Sequence, residues 1–167
     1  QFQPSLAVAA GGDFVVVWLG GDGDSWGIFG QRFDASGAPA GAEFQVNTNT
    51  AGQQSHPSVA VDGSGNFVVV WWSIDINGPL IPRVYGQGFS AAGVRLGGEF
   101  AVSSSTSYQQ SSPRVARSSD GTFVVAWWGD GAVDFNGILA RRFDAGGAPV
   151  GIDFQVNAQT TGTQKSP

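Results

Sequence analysis

Cysteine is absent from the 167 residues, so the chain can form neither a disulfide framework nor a thiolate metal site. This absence is compatible with either an oxidising or a reducing compartment. The longest apolar runs, FVVVWL at 14–19 and FVVAWW at 123–128, have six residues each. A helix needs about 20 apolar residues to cross a bilayer, so we expect no membrane span.

Charge is also scarce. Charged residues make up 13% of the chain, about half of the usual ~25%. The 8 basic residues are scattered and outnumbered by 13 acidic ones, whereas phosphate binding needs clustered Lys and Arg, so we expect no nucleic-acid partner. The abundant residues are hydrophobic (41%) and glycine (26 residues), which is typical of a turn-rich all-β protein.

An internal repeat organises the whole chain. The pattern Gln-x-x-Pro begins at Gln1, Gln54, Gln110 and Gln164, and DFVVVW at 13–18 returns in phase as NFVVVW and TFVVAW. We therefore divide the chain into repeats at residues 1–53, 54–109 and 110–163, with 164–167 beginning a fourth repeat phase.

Each repeat carries the signals of four strands, because Val, Phe and Trp dominate while Gly, Asp, Asn and Pro punctuate. In the first repeat we expect strands near Ser5–Ala10, Asp13–Leu19, Gly27–Phe33 and Glu43–Asn47. The connectors at 11–13, 62–66 and 118–122 predict short hairpin turns in which glycine supplies a positive φ. No segment has helical periodicity over ten residues, so we expect almost no helix.

A four-stranded antiparallel unit of this length is typical of a blade in a β-propeller-like fold. The near-continuous apolar strand FVVVW indicates a strand covered on both faces, as happens when blades stack. The repeated aromatic residues are therefore predicted to form the core between blades: Phe14, Trp18, Phe33, Phe44, Phe67, Trp71, Phe89, Phe100, Phe123, Trp127, Phe143 and Phe154.

Three blades are too few to close a ring, because propellers typically need 4–8. An open stack leaves apolar faces at both ends, so we expect something to cover them. Two explanations remain open: a homodimer that closes a six-blade ring, or a piece of a longer array. We expect a protein partner, with self-association as one form of it.

The strings GIFGQRFDASGAPAGAEFQVNTNT and GGDFVVVW resemble a repeat of very large secreted proteins from Gram-negative bacteria, often found beside RTX-type calcium-binding and cadherin-like modules. The resemblance covers essentially the whole chain. The second repeat departs from the pattern at Gly88 and Ser90, and the third at 139–141. The resemblance implies an extracellular or cell-envelope (periplasmic) protein built for adhesion or assembly, and it implies no catalytic residues.

The loops at 20–27, 73–86 and 129–137 differ most between repeats, and such variation on a constant scaffold favours binding. Their oxygen donors suggest Ca²⁺ as a cofactor, with Asp22, Asp24, Asp130 and Asp134 as candidate ligands. No loop has the regular ladder of a calcium site, so the alternative is that these residues only favour turns.

Four aromatic residues in or beside these loops are candidate glycan-binding residues: Trp26, Trp72, Tyr85 and Trp128. Aromatic faces next to polar groups are suited to holding a sugar ring. The alternative is that Trp72 and Trp128, which directly follow strand positions, only seal the blade edges.

Catalytic residues are hard to assign. His56 stands in the Gln-x-x-Pro corner and is predicted to be a solvated loop residue. Glu43, Glu99 and Asp153 recur in phase, which indicates scaffold rather than catalysis. The sequence thus favours a non-catalytic interaction or structural module, adhesin-like or an accessory subunit. The first alternative is a carbohydrate-binding lectin, with or without Ca²⁺, and the second is a polysaccharide-active enzyme.

Overall fold

The computed structural model describes residues 1–23, 25–74, 80–105, 109–129 and 137–158. The described residues form twelve strands and no helix, in three consecutive groups of four. The first group is β1 (Phe2–Val8), β2 (Phe14–Gly21), β3 (Trp26–Phe33) and β4 (Phe44–Gln45). The second is β5 (Gln53–Val61), β6 (Phe67–Ile74), β7 (Arg83–Phe89) and β8 (Arg95–Ala101). The third is β9 (Gln110–Arg117), β10 (Phe123–Gly129), β11 (Gly137–Phe143) and β12 (Pro149–Gln155).

Each group is an antiparallel meander in which every strand pairs with the next, and we name the groups blades 1, 2 and 3. The first strands contact one another across blades, β1 with β5 and β5 with β9, so they lie nearest the common axis. One parallel bridge, Trp26 to Gln53, joins the sheets of blades 1 and 2. The predicted all-β, propeller-like class is confirmed, and the sheets do not close into a ring.

The stacking creates one apolar core at each of the two junctions. The first lies between blades 1 and 2 and includes Val15, Val17, Ile28, Val46, Val59, Phe67, Val69, Trp71 and Phe89. The second lies between blades 2 and 3 and includes Val68, Val70, Val84, Val102, Phe123, Val125, Trp127 and Phe143. Alternate residues of β6 enter different cores, because successive side chains of a strand point to opposite faces. Each fully buried Val or Phe contributes on the order of 1.5–3 kcal/mol.

The predicted aromatic core is confirmed at these junctions and wrong at the two ends of the stack. Phe67, Trp71 and Phe89 are buried, but their counterparts in blade 1 are only half-buried. Phe154 at the other end is exposed. The reason is that an end blade has a neighbour on one face only.

The turns follow the prediction closely. Gly12, Gly65 and Gly121, one in each β1–β2-type turn, have φ between +81° and +92°. In the second turn the Asp62 carboxylate accepts hydrogen bonds from the N–H groups of Ser64 and Asn66, which closes the turn locally.

The strand boundaries of blade 1 differ from the prediction by up to three residues. Strand β1 begins at Phe2 rather than Ser5, because Gln3 adopts a positive φ that lets the strand pass through the Gln-x-x-Pro segment as a bulge. Strand β4 is shorter than predicted and covers only Phe44–Gln45, although the N–H of Val46 still donates to the carbonyl of Ile28.

Candidate functional site

The first strand of every blade carries the same backbone irregularity near the axis. Gln3, His56 and Ser112 occupy the same repeat position and have φ of 53°, 53° and 51°. The left-handed region costs a non-glycine residue about 1–3 kcal/mol, and such strain clusters at functional sites. Each residue precedes a proline, and the strand pairing shifts register around it.

The bulges of blades 1 and 2, together with Arg114 of blade 3, line a cavity of about 370 Å³. We name it the axial pocket. It is lined by Gln3, Pro4, Ser5, His56, Pro57 and Arg114. Its volume falls in the range of small-ligand sites, about 300–1,000 Å³. The prolines supply apolar wall, while the other four side chains supply polar groups.

Gln3 connects blade 1 to blade 2 within the pocket. Its Oε1 atom accepts hydrogen bonds from the Ser55 hydroxyl and the His56 N–H, both at 2.9 Å. The Ser5 hydroxyl oxygen accepts from the N–H of Val59 at 3.3 Å. The side-chain NH₂ of Gln3 has no such contact with the described residues, so it remains able to donate to a ligand.

His56 contributes an imidazole ring to the lining of the pocket. Its Nδ1 is buried and makes no hydrogen bond with the described residues. Burial lowers the pKa of His56, and the positive charge of Arg114 lowers it further. The imidazole is therefore neutral at pH 7 and offers one donor and one acceptor. A buried polar atom without a partner normally costs stability, which favours a role in binding.

Trp72 supports the imidazole from one side. The ring centroids of His56 and Trp72 are 6.2 Å apart, with an interplanar angle of 47°. Trp72 pairs across the sheet with Ser55, the residue before His56, so the backbone register holds the two rings together. Of the four predicted aromatic residues, Trp72 is thus placed beside the axial pocket.

The chain resembles proteins of known structure only at the level of the fold. Neither a family model nor a curated protein sequence matches this chain. An endo-arabinase from Bacteroides thetaiotaomicron VPI-5482 is similar in structure, with a TM-score of 0.58 and 15% identity over 95% of this chain and 63% of the arabinase. The Hadza microbial sialidase Hz136 has a TM-score of 0.56 and 12% identity over 85% of this chain and 42% of the sialidase.

A third similar structure is a fucose lectin from Kordia zhangzhouensis in complex with methyl-fucoside. It has a TM-score of 0.51 and 10% identity, and the match covers 94% of this chain and 99% of the lectin. The fold is β-propeller-like. The chain spans less than two thirds of the arabinase and of the sialidase, and all three similar structures belong to carbohydrate-related proteins.

The other predicted aromatic residues of this propeller-like chain do not converge on one point. Trp26 is 37% exposed and packs edge-on against Phe2, with ring centroids 5.7 Å apart. Tyr85 packs against the core between blades 1 and 2, and Trp72 lies on the opposite face of blade 2 because Tyr85 pairs with Trp71. Trp128 is half-buried in blade 3.

The predicted calcium ligands are only partly described. Asp22 uses its carboxylate within its own loop, where Oδ1 accepts from the Ser25 N–H at 2.9 Å. Asp24, Asp130 and Asp134 lie outside the described residues. Within the described ranges no three potential metal-ligating side chains gather.

The prediction for His56 was wrong. It lies within strand β5, half-buried, rather than in a solvated loop. The Gln-x-x-Pro segment looks like a turn because of its proline, but the bulge keeps it in the sheet.

Sequence reasoning also missed Gln3, Ser5 and Arg114 as pocket residues. A usable signal was present: positions 3, 56 and 112 carry three different side chains in an otherwise constant motif, and Arg114 stands where the other two repeats have Ser5 and Ser58. Sequence variation at one repeat position on a constant scaffold favours binding here for the same reason as in the loops.

Charged residues that recur in the repeats make contacts between blades or within turns. Arg32 donates to the carbonyl of Ala91 in blade 2 at 2.7 Å, while Asp34 accepts from the N–H groups of its own turn. Asp153 accepts from the Ser104 hydroxyl of blade 2 at 2.9 Å. The Asp153–Ser104 contact joins two blades, which agrees with the interpretation of this recurring acidic residue as part of the scaffold.

A second cavity of about 250 Å³ lies between blades 1 and 2 at the opposite end of the strands, near Asp13 and Arg32. Its polar groups come from two blades and are partly used in the turns; the Asp13 carboxylate, for example, accepts from the Ala35 N–H. The axial pocket joins three blades and holds an unpartnered polar atom, so we regard it as the candidate site.

Proposed function

We propose that this chain is a non-catalytic carbohydrate-binding module that acts outside the cell or in the cell envelope. The observation that carries the proposal is the axial pocket, where a neutral imidazole, an amide, a hydroxyl and a guanidinium surround a cavity of about 370 Å³. A pyranose ring presents hydroxyl groups around an apolar face, and these groups can exchange hydrogen bonds with such side chains.

The similar structures support a carbohydrate ligand. They are an endo-arabinase, a sialidase and a fucose lectin, and the lectin matches over almost its entire length. The location outside the cytoplasm rests on the resemblance of the repeats to those of secreted bacterial proteins.

We propose binding rather than catalysis because of the pocket's chemistry. Glycoside hydrolysis generally uses a pair of carboxylates about 5–9.5 Å apart. The described lining residues provide no carboxylate, and Arg114 provides a positive charge. The pocket therefore suits a neutral sugar or one that carries a carboxylate.

The test is a titration of the purified chain with neutral monosaccharides, methyl-fucoside and a uronic acid, followed by calorimetry. We expect saturable binding that His56→Ala and Arg114→Gln each weaken by about tenfold or more, the effect of one lost hydrogen bond to a charged or buried group. Val94→Thr, an exposed change in a distant turn, serves as the control and is expected to leave the affinity unchanged.

Three results would contradict the proposal. The first is no saturable sugar binding, and the second is binding that neither pocket variant affects. The third is turnover of an aryl glycoside or a polysaccharide, which would favour the enzyme. A chelator arm tests the calcium alternative, because metal-dependent binding would place the site in the acidic loops instead.

A further inference from the structure

Each junction between blades is built around three phenylalanine rings. In blade 2, Phe67 and Phe89 stack at 4.9 Å, and Phe44 of blade 1 packs against the Phe89 ring at 5.4 Å. The next junction repeats this arrangement: Phe123 and Phe143 stack at 4.8 Å, and Phe100 of blade 2 lies 5.5 Å from Phe143.

The two ends of the stack carry the separated parts of a third such cluster. In blade 1, Phe14 and Phe33 stack at 4.9 Å, with the same interplanar angle of 11° as Phe67 and Phe89. No ring from a preceding blade of the described chain covers them. At the other end Phe154, which occupies the position of Phe44 and Phe100, is 46% exposed, and no stacked pair of the described residues lies against it.

Aliphatic residues beside these rings are likewise exposed at the two ends of the stack, although their counterparts at the junctions are buried. Val156 is 55% exposed, whereas its counterparts Val46 and Val102 are completely buried. On blade 1, Leu6 is 62% exposed, whereas its counterpart Val59 is 6% exposed. We call the surface around Val124, Phe154 and Val156 the blade 3 face, and the surface around Leu6, Phe14 and Phe33 the blade 1 face.

The donor and the acceptor of one polar contact between blades also recur on the two open faces. At the junction of blades 1 and 2, Arg32 donates to the carbonyl of Ala91, and its side chain runs directly over Gly93. Arg142 is the same repeat position on the blade 3 face, where it is exposed. The counterparts of the acceptor and the glycine are Ala35 and Gly37, and the space over Gly37 is open.

The recurring acidic residue provides a second such pair. Glu99 accepts from the N–H and the hydroxyl of Thr48 in the preceding blade, and Asp153 accepts likewise from Ser104. Glu43 is the same position in blade 1 and is exposed. Its expected donor is the N–H of Ala158, which occupies the position of Thr48 and Ser104.

We propose that the blade 3 face of one copy of this chain binds the blade 1 face of a second copy, and that two such junctions close a six-blade ring. Phe154 then packs on the Phe14–Phe33 pair of the other copy, Arg142 donates to its Ala35 carbonyl, and Glu43 accepts from the Ala158 N–H. Two copies of the three described blades fall within the 4–8 blades of closed propellers, whereas three copies do not. The two-fold axis makes both junctions identical.

The occupant is a second copy because the faces match each other in repeat register. Three features of these faces correspond to one another: Phe154 to the Phe14–Phe33 pair, Arg142 to the Ala35 carbonyl, and Glu43 to the Ala158 N–H. The chain already forms the aromatic core and the acidic contact of this interface twice within itself, so the proposed junction continues an established one.

The proposed junction differs from the internal ones at three positions. Arg114 replaces the serine that accepts from Val59 at the first junction. Blade 1 has no arginine over Phe33, whereas Arg95 and Arg141 lie over Phe89 and Phe143. Ala140 stands where Gly30 and Gly86 allow Phe44 and Phe100 to approach, so Phe154 cannot approach its own sheet as closely. We therefore expect the junction between copies to be the weaker one.

The test is the mass of the full chain in solution, measured by sedimentation velocity over a range of concentrations. We expect a dimer of twice the chain mass of 17.3 kDa. Phe154→Asp is expected to raise the dissociation constant by about thirtyfold or more, as for a central interface anchor. Ile152→Asp is the matched control: it lies in the same strand and is 80% exposed, but its counterparts in the formed junctions, Ala42 and Gly98, stay exposed.

A mixing experiment tests the head-to-tail arrangement. Phe154→Asp blocks the blade 3 face and Leu6→Asp blocks the blade 1 face, so each variant alone should be monomeric. Mixed together, they retain one intact junction and should form an open dimer. Circular dichroism of both monomers verifies that they are folded.

Three outcomes overturn the proposal: a wild-type monomer at high concentration, a dimer that Phe154→Asp leaves intact, or folded variants that do not combine. The first of these would leave the two faces to further repeats or to another protein. None of them affects sugar binding at the axial pocket, which is measured separately.

Discussion

Arg117 and Asp62 form an ion pair across the junction of blades 2 and 3, with Nη2 of Arg117 3.1 Å from Oδ2 of Asp62. Their side chains are 4% and 6% exposed, so both charges are almost completely removed from water. Burial lowers the pKa of Arg117 while Asp62 opposes the shift, and the guanidinium stays protonated at neutral pH. At the junction of blades 1 and 2 the same positions hold Ala9 and Val61, beside the cavity of about 250 Å³.

The comparison of the two junctions predicts that substitutions of Asp62 and Arg117 change the free energy of unfolding non-additively. Arg117→Val leaves the Asp62 carboxylate buried without its partner and should lower the free energy of unfolding by about 3–5 kcal/mol. The double variant Asp62→Ala/Arg117→Val copies the other junction and should be about 2 kcal/mol more stable than Arg117→Val alone. Denaturant unfolding of the wild type, both single variants and the double variant measures this coupling. Additive losses would contradict the prediction.

We expect a side chain at Gly86 to destabilise the protein for a steric reason. A Cβ atom at Gly86 would lie 2.5 Å from the Cζ atom of Phe100, whose ring packs across the strand into the second core. Gly86→Ala should therefore displace the ring and cost about 1–3 kcal/mol of unfolding free energy. Gly98→Ala is the control, because nothing lies within 4 Å of its Cβ position. Thermal unfolding should show a lower Tm for the first variant only; equal Tm values would refute the steric explanation.

His56 should make stability depend on pH near neutrality. Burial and Arg114 hold the pKa of His56 below its ordinary value of 6.5, so the unfolded chain takes up a proton at a higher pH than the folded chain does. Stability should fall as the pH drops through this interval, and the loss is complete below the folded-state pKa. No other histidine is present in the sequence to contribute.

His56→Ser, which introduces the residue found at the same position in blade 3, should flatten this dependence. The measurement is the free energy of unfolding of wild type and variant between pH 7.5 and 5, compared as a difference at each pH. A difference that stays constant across this range would show that the folded-state pKa is not lowered.

Trp72 and Trp26 distinguish two possible sugar sites. Trp72 lies against His56, so Trp72→Ala should release the imidazole and weaken sugar binding by about tenfold, while Trp72→Phe retains most of the contact. Trp26 packs against Phe2 on the exposed surface, and Trp26→Ala should change the affinity less than about twofold. Calorimetric titration measures both. The reverse ranking would place the sugar on the Trp26–Phe2 surface rather than in the axial pocket.

Several features of this chain were predictable because they depend on neighbouring residues. The continuous apolar run FVVVW defines a strand with two apolar faces, and glycine at 12, 65 and 121 permits the positive φ of each turn. The repeat then implies that all three blades share this structure. Local sequence therefore determined the strands, the turns and the propeller-like class.

The axial pocket and the open faces were decided by the tertiary structure. Gln3, His56 and Arg114 are more than fifty residues apart in the chain, and they meet only because the blades rotate about a common axis. Phe44 and Phe154 share one repeat position, yet one is covered and the other exposed, because burial depends on whether a neighbouring blade is present. The amino-acid sequence thus determined the unit and both of its apolar faces, while the order of stacking decided which side chains converge and which remain open.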